Sequence, residues 1–392
     1  MAASKAAAAP LLPAQRILVI QFREIGDVLL STPVLRALRQ HYPQSYLAFL
    51  AEPSPGRILQ GNPDLDAVLL QPRHATLRQQ WQMICALRRQ RFDLVVDLMG
   101  NPRSAWVARL SGARHRLAFA RFPRSLCYTM LVPHQHASQE YTVSKRLRLL
   151  TPLGIATDDL TLRLPTPAEA RSEVEQFLQR QAITPEDLLI CIDPTHRIPT
   201  RQWPEASFSR LVDLLSNRLG ARVVLLWGPG EETQVQRIAA AASSAPVLIP
   251  AWDLHTLAAL LARADLCIGG NSAPLHIAVS QHTPTVTILG STNGAGWVPP
   301  LPQHRLVAAG LPCQPCERNR CGPPLNIACL RTLEPETVFA RVQDCAPWVP
   351  KLQTAQARQG WVRSAPGGPS PLHPEPGAPA SGQARPPHGR LL

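Results

Sequence analysis

The stretch "ILVIQFREIGDVLLSTPVLRALRQHYP", Ile17 to Pro43, begins in one periodicity and ends in another. Ile17–Gln21 reads as a strand, whereas Val28, Leu29, Val34, Leu35 and Leu38 recur at the spacing that lines one face of a helix over Val28–His41. The turn between them holds Gly26, whose missing side chain permits a tight bend and a close approach, and then one carboxylate, Asp27. Ligands of parallel sheets bind where strand carboxyl ends feed helix N-termini. Asp27 is therefore placed either to cap its helix or to act on a ligand as a general base.

The same alternation of short apolar runs and amphipathic stretches continues along the chain, the pattern of strand–helix units around parallel sheets. Strands are expected at Ile17–Gln21, Tyr46–Ala51, Ala67–Leu70 and Leu94–Asp97, then at Leu189–Ile192, Val223–Trp227, Pro246–Ile249, Leu266–Ile268 and Thr285–Leu289. A second helix of clear period spans Glu205–Leu219. Between the two series, Thr151–Ala170 has three prolines and no core pattern, as expected of a linker that enters a helix near Pro167. The expected organisation is a disordered extension over residues 1–15, a Rossmann-like domain over 16–166, a second over 167–350, and a disordered Pro/Gly-rich tail over 351–392.

The 392 residues are 45% hydrophobic and 17% charged, the balance of a globular chain. Lys and Arg number 40 against 27 Asp and Glu, a formal charge of +13 that favours anionic partners. No run of ~18 apolar residues marks a membrane span. Cys85, Cys127, Cys191, Cys267 and Cys345 are scattered through apolar or helical stretches, which suits thiols in a reducing compartment, and a cytoplasmic location is expected.

Two further stretches carry chemistry. "ADLCIGGNSAPLHIAVSQHTPTVTILG", Ala264–Gly290, is a strand, a small-residue turn and a helix start, with Asn271 or Ser272 able to cap, Pro274 suited to the first turn, and His276 following. Such a helix N-terminus suits a diphosphate; the plainer reading is an ordinary turn with His276 in the core. "DPTHRIPTRQWPEASF", Asp193–Phe208, sets Arg201 where its planar fork could grip a phosphate, or where it is simply a solvated loop residue above a packed Trp203. "WGPGEE", Trp227–Glu232, is a weaker glycine loop.

Together with "DLVVDLMGN", these stretches resemble, in order and spacing over about Arg16–Val342, the bacterial family 9 glycosyltransferases, the lipopolysaccharide heptosyltransferases. The resemblance implies a GT-B fold: two Rossmann-like doubly wound domains facing across a cleft, acceptor on the first and nucleotide-sugar on the second. It implies inverting transfer from ADP-heptose to a lipopolysaccharide core or similar envelope glycolipid, with no metal or other cofactor required. Asp27 matches the family's proposed base, with Gly26 beside it. Donor contacts fall on Thr195, Arg201, Glu231 (ribose), Trp252 (nucleobase), Asn271, Ser272, Ala273 and His276. Arg201 stands where the family usually has Lys, and Asn271 and Ala273 depart from its commonest Asp-Ser/Thr-Gly.

From Asn101 to Leu150, nine Arg and Lys face a single acid, Glu140. In an acceptor domain these charges, with Arg103, Arg121 and Arg124 as acceptor contacts, would recognise an anionic glycolipid and hold the protein peripherally at the cytoplasmic face of the inner membrane; the alternative is a solvated charged face. Nucleic acid is not expected, because aromatics are only 5% of residues and no stacking motif interleaves with the arginines. "PCQPCERNRCGPPLNIACL" brings Cys313, Cys316, Cys321 and Cys329 together as ligands of a structural zinc or an iron–sulfur cluster, as a disulfide or as free thiols. Two other function classes stay open at the level of sequence. One is a non-catalytic nucleotide or anionic-glycan binding protein of the same fold; the other is an NAD-dependent oxidoreductase, against which the first turn lacks G-x-G-x-x-G.

Overall fold

The computed structural model describes residues 13–134 and 140–358. Twelve strands among these residues form two six-stranded sheets, every pair parallel. The first contains β1 (Arg16–Ile20), β2 (Tyr46–Ala51), β3 (Ala67–Leu70), β4 (Leu94–Asp97), β5 (His115–Phe119) and β6 (Met130–Val132), in the order β3-β2-β1-β4-β5-β6. The second contains β7 (Leu189–Asp193), β8 (Arg222–Leu225), β9 (Val247–Leu248), β10 (Leu266–Gly269), β11 (Thr285–Ile288) and β12 (His304–Val307), in the order β12-β11-β10-β7-β8-β9. Counted from its own first strand, each sheet runs 3-2-1-4-5-6. The order therefore reverses between β1 and β4, and again between β7 and β10, and ligand crevices open beyond the strand ends at such points.

Helices of the first domain are α1 (Ile25–Leu29), α2 (Thr32–His41), α3 (Pro53–Gly56), α4 (Leu77–Gln90), α5 (Pro102–Leu110) and α6 (Thr142–Arg148). Those of the second are α7 (Ala168–Arg180), α8 (Glu205–Leu219), α9 (Glu232–Ala241), α10 (Leu254–Arg263), α11 (Ala273–Ser280), α12 (Ala328–Arg331), α13 (Pro335–Gln343) and α14 (Pro350–Arg358). The helix expected over Val28–His41 is two helices. Pro33 has no N–H for the Leu29 carbonyl, and the Thr32 hydroxyl takes that carbonyl instead at 2.8 Å.

Three strands escaped the periodicity, β5, β6 and β12; β6 and β12 are edge strands of three and four residues, and β5 and β12 begin with a His-Arg pair. The linker is lashed to the first domain rather than loose. Ile155, Leu162 and Leu164 are buried, Arg163 Nη1 reaches both Asp64 carboxylate oxygens at 3.0 Å, and Arg36 pairs with Asp159 at 2.5 Å. The ordered second domain also runs past residue 350: α14 buries Leu352, and Lys351 Nζ reaches Asp265 Oδ2 at 3.0 Å. At the other end, Ala14 is buried. The remainder of the expected extension and tail, residues 1–12 and 359–392, lies outside the described residues.

Candidate active site

Asp27 lies in the first turn of α1, and the N-cap of that helix is Glu24, so Asp27 does not serve as the cap. Its Oδ1 accepts from Arg146 Nη2 at 2.5 Å, while Arg146 Nη1 donates to the Asp27 carbonyl at 2.5 Å and contacts Ser31 Oγ at 3.2 Å. The guanidinium is almost fully buried, and its fork sets the carboxylate's orientation. Across the cleft, α1 packs on α11. A Cβ placed on Gly26 would stand 2.6 Å from His276 Cδ2, so only glycine allows this approach. Burial pushes His276 down to about 4, with the nearby Arg146 charge acting the same way, so its imidazole is neutral at physiological pH.

The donor side is built at the second switch point. Asp193 ends β7 and pairs in register with Gly269 of β10. Its Oδ2 accepts from Ser272 Oγ, the N-cap residue of α11, whose side chain makes no cap bond to that helix. Burial pushes Asp193 up to about 7; the Ser272 bond opposes the shift and the Glu231 charge adds to it. Glu231 Oε2 accepts from Thr195 Oγ1 at 2.8 Å and from the Gly228 N–H at 2.9 Å. Arg201 joins Asp193, Thr195 and Gly270 in lining one crevice, and Arg201 Nε, like Asn271 Oδ1 in the adjoining turn, is buried without a partner among the described residues. The segment Pro199–Arg201 sits against Gly290, where a Cβ would come within 2.1 Å of the Thr200 carbonyl. Burial and the Arg201 charge lower the neighbouring His196.

The structure thus brings Thr195, Arg201, Glu231, Asn271, Ser272, Ala273 and His276 to one end of the second sheet. Trp252 lies in the loop after β9 of the same sheet, where its indole N–H donates to Glu173 Oε1 at 2.8 Å and its ring meets Phe177 edge-on, both on α7. Among the acceptor residues, Arg103 is held by Glu52 at 2.8 Å and by the Pro72 carbonyl at 2.9 Å, and lies over the Phe22 ring. Arg121 Nη2 meets His134 Nε2 at 2.6 Å, and Lys145 Nζ lies 3.3 Å from the same nitrogen. Burial, followed by the Arg121 charge, lowers Lys145, so these cations converge beside α6. Arg124 is partly buried in the next turn, with Nε unpartnered.

The cysteine segment is fastened to the donor loops: Gln314 Nε2 donates to the Gly290 carbonyl at 2.8 Å, Glu317 N to the Ser291 carbonyl at 2.8 Å, and Thr200 Oγ1 to the Arg318 carbonyl at 2.7 Å. Cys321 Sγ accepts the Ile327 N–H and Cys329 is buried. Among the described residues no group of three or more His, Cys, Asp or Glu is set to hold a metal ion, so the zinc reading of these cysteines finds no support in the geometry.

The family model described as "Glycosyltransferase family 9 (heptosyltransferase)" matches residues 80–324, more than half of the chain. The chain belongs to glycosyltransferase family 9. Lipopolysaccharide heptosyltransferase 3 of Escherichia coli is 30% identical over 288 residues, which cover 70% of this chain and 83% of that protein. A family 9 glycosyltransferase of Veillonella parvula has the same fold, with a TM-score of 0.75 at 21% identity, covering 87% of this chain and 98% of that one. An E. coli heptosyltransferase solved with ADP superposes with a TM-score of 0.64 at 22% identity, covering 84% and 100%. The fold is therefore GT-B and the protein is a glycosyltransferase, which removes the oxidoreductase reading. Within this family 9 chain, two residues stand out that motif reading did not assign. Asp193 was detectable as a strand-terminal carboxylate beside a switch point; Arg146, 119 residues from Asp27, reaches it only through the packing of α6.

Proposed function

We propose that this glycosyltransferase transfers heptose, or a related sugar, from ADP-heptose to a lipopolysaccharide core or similar envelope glycolipid on the cytoplasmic face of the inner membrane. The observation that carries this reading is the contact of α1 with α11, which sets Asp27 and the diphosphate-type helix terminus at one cleft. With Oδ1 engaged by Arg146, Asp27 Oδ2 takes the proton of an acceptor hydroxyl as that oxygen bonds to the anomeric carbon. The bond from that carbon to the diphosphate oxygen breaks, its electron pair leaves with ADP, and one displacement inverts the centre. Arg201 and the N–H groups opening α11 meet the leaving group's charge, the role a divalent cation fills in other transferases, so chelation is expected to leave turnover unchanged.

Heptosyltransferase names among the relatives and the ADP bound to a same-fold neighbour support the donor. The Arg121 and Lys145 cations beside α6 support an anionic acceptor. The test is acceptor-dependent ADP release from ADP-heptose, with Asp27→Asn expected to lower kcat by about 10²–10⁴. Full turnover in the variant would remove Asp27 as the base. Tight ADP binding without release from ADP-heptose would overturn the proposed donor sugar.

A further inference from the structure

The helices on the side of the first sheet away from Asp27 combine buried residues with large exposed apolar side chains. Ile84 and Leu87 of α4 and Ala105 and Ala108 of α5 enter the core with Leu18 and Ile20 of β1. Leu77 and Trp81 stand one helical turn apart in the exposed first turns of α4, ahead of its buried residues, and Trp106 and Leu110 one turn apart on the outer face of α5. Trp81 and Trp106 are each 61% exposed, and next to α5 the turn before β6 exposes Phe122 at 86% and Leu126 at 78%. Since α4 packs on α5, and α5 on that turn, the three apolar pairs share one surface. Clustered exposure of this kind marks an interaction site rather than scattered surface leucines.

The charge on the same layer names the partner. From Gln71 to His134 the sequence holds eleven arginines and two acids, Asp93 and Asp97. Asp97 is buried under Tyr128, Asp93 accepts the Gln15 and Arg16 N–H groups, and of the arginines Arg103 is paired with Glu52, which leaves a cationic excess on this layer. Exposed Arg78 and Arg109 flank the tryptophans. Tryptophan rings above a cationic field match the headgroup zone of an anionic bilayer. The layer also reaches the cleft, because α5 starts just beyond the end of β4 at the first switch point.

We infer that the outer face of α4, α5 and the Phe122–Leu126 turn is the surface by which the protein docks on an anionic phospholipid bilayer. The inference rests on the glycolipid reading above and specifies the face that meets the membrane. It is tested with the full chain and vesicles of phosphatidylcholine, alone or mixed with phosphatidylglycerol. The native chain is expected to sediment with the mixed vesicles and to remain free of the neutral ones. Trp81→Gln with Trp106→Gln is expected to weaken that binding by about tenfold or more. Arg78→Gln weakens it by about fivefold at low salt, an effect that fades at high salt. ADP release with a deacylated, water-soluble acceptor stays unchanged in all these variants. Equal binding of native chain and variants to mixed vesicles would overturn the inference, as would a native dimer that the tryptophan substitutions turn into monomer. Failure to transfer to any acceptor with vesicle binding intact would overturn the proposed reaction and leave the docking face standing.

Discussion

At the scale of single residues, two side chains set the conditions under which the site works. Arg146 holds both the carboxylate and the carbonyl of Asp27, which a single ammonium does not do with the same fork. Arg146→Lys is therefore expected to lower kcat about ten- to a hundredfold with little change in donor KM, as steady-state kinetics would read. Asp193 acts through its proton. Its folded value, about 7, lies above its ordinary value of 3.8. Below the ordinary value both folded and unfolded chains are protonated. As pH rises towards 7 only the unfolded chain releases its proton, so stability falls across that window and levels off above it. At about 1.4 kcal/mol per pH unit, Asp193→Asn should gain on the native protein by about 3 kcal/mol between pH 5 and pH 8, measured by denaturant unfolding at each pH. Ionised Asp193 beside Glu231 also repels a diphosphate, so native donor KM should climb above about pH 7 while that of the variant stays level.

At the scale of elements, the donor site is a set of loops forced together by glycines, and Gly290 is the tightest point. Its Cβ would strike a backbone carbonyl, Thr200 O, rather than a movable side chain. Gly290→Ala is expected to push the Pro199–Arg201 turn outward, costing about 1–3 kcal/mol and weakening ADP binding in calorimetric titration; unchanged ADP affinity would detach that turn from the donor. This level of organisation was partly legible in the chain. Strands β2 and β4 and helix α8 have the bounds their apolar runs indicate, because each buries most of its length or one whole face; β3 also has its expected bounds, with its residues only partly covered. Strands β6 and β12 did not announce themselves because edge position and short length remove the apolar signal, and interior β5 was masked by the His-Arg pair that opens it. Among site residues, Asp27 and the Asn271–His276 turn were legible from glycine and proline chemistry. Trp252 was carried over from the resemblance alone, and its ring is engaged by Glu173 and Phe177 on α7. Arg146 and the packing of Gly26 on His276 are tertiary facts, set by how α6 and α11 come to rest against α1.

At the scale of the molecule, the cleft is held at a set opening by contacts that join the two sheets. One buried apolar cluster runs from Val28 and Leu59 in the first domain to Leu257 and Ile277 in the second. Around it, Thr142 Oγ1 of α6 donates to the Gly296 carbonyl at 2.6 Å, and His255 of α10 places one ring nitrogen 2.9 Å from the Pro165 carbonyl and the other 3.2 Å from the Arg57 carbonyl. A shared core makes the domains one cooperative unit, so native unfolding should show a single calorimetric endotherm despite the two-domain architecture. His255→Ala removes a ring wedged between two backbone carbonyls, with the one N–H bond it can donate, and should lower the whole transition by about 1–3 kcal/mol without splitting it. It should also slow turnover more than it weakens ADP binding, because the donor loops lie wholly within the second domain, whereas Asp27 meets them only through this interface. Two separate endotherms in the native protein would mean that the domains fold independently. Loss of ADP affinity in the variant equal to its loss of turnover would place His255 in donor binding rather than in domain alignment.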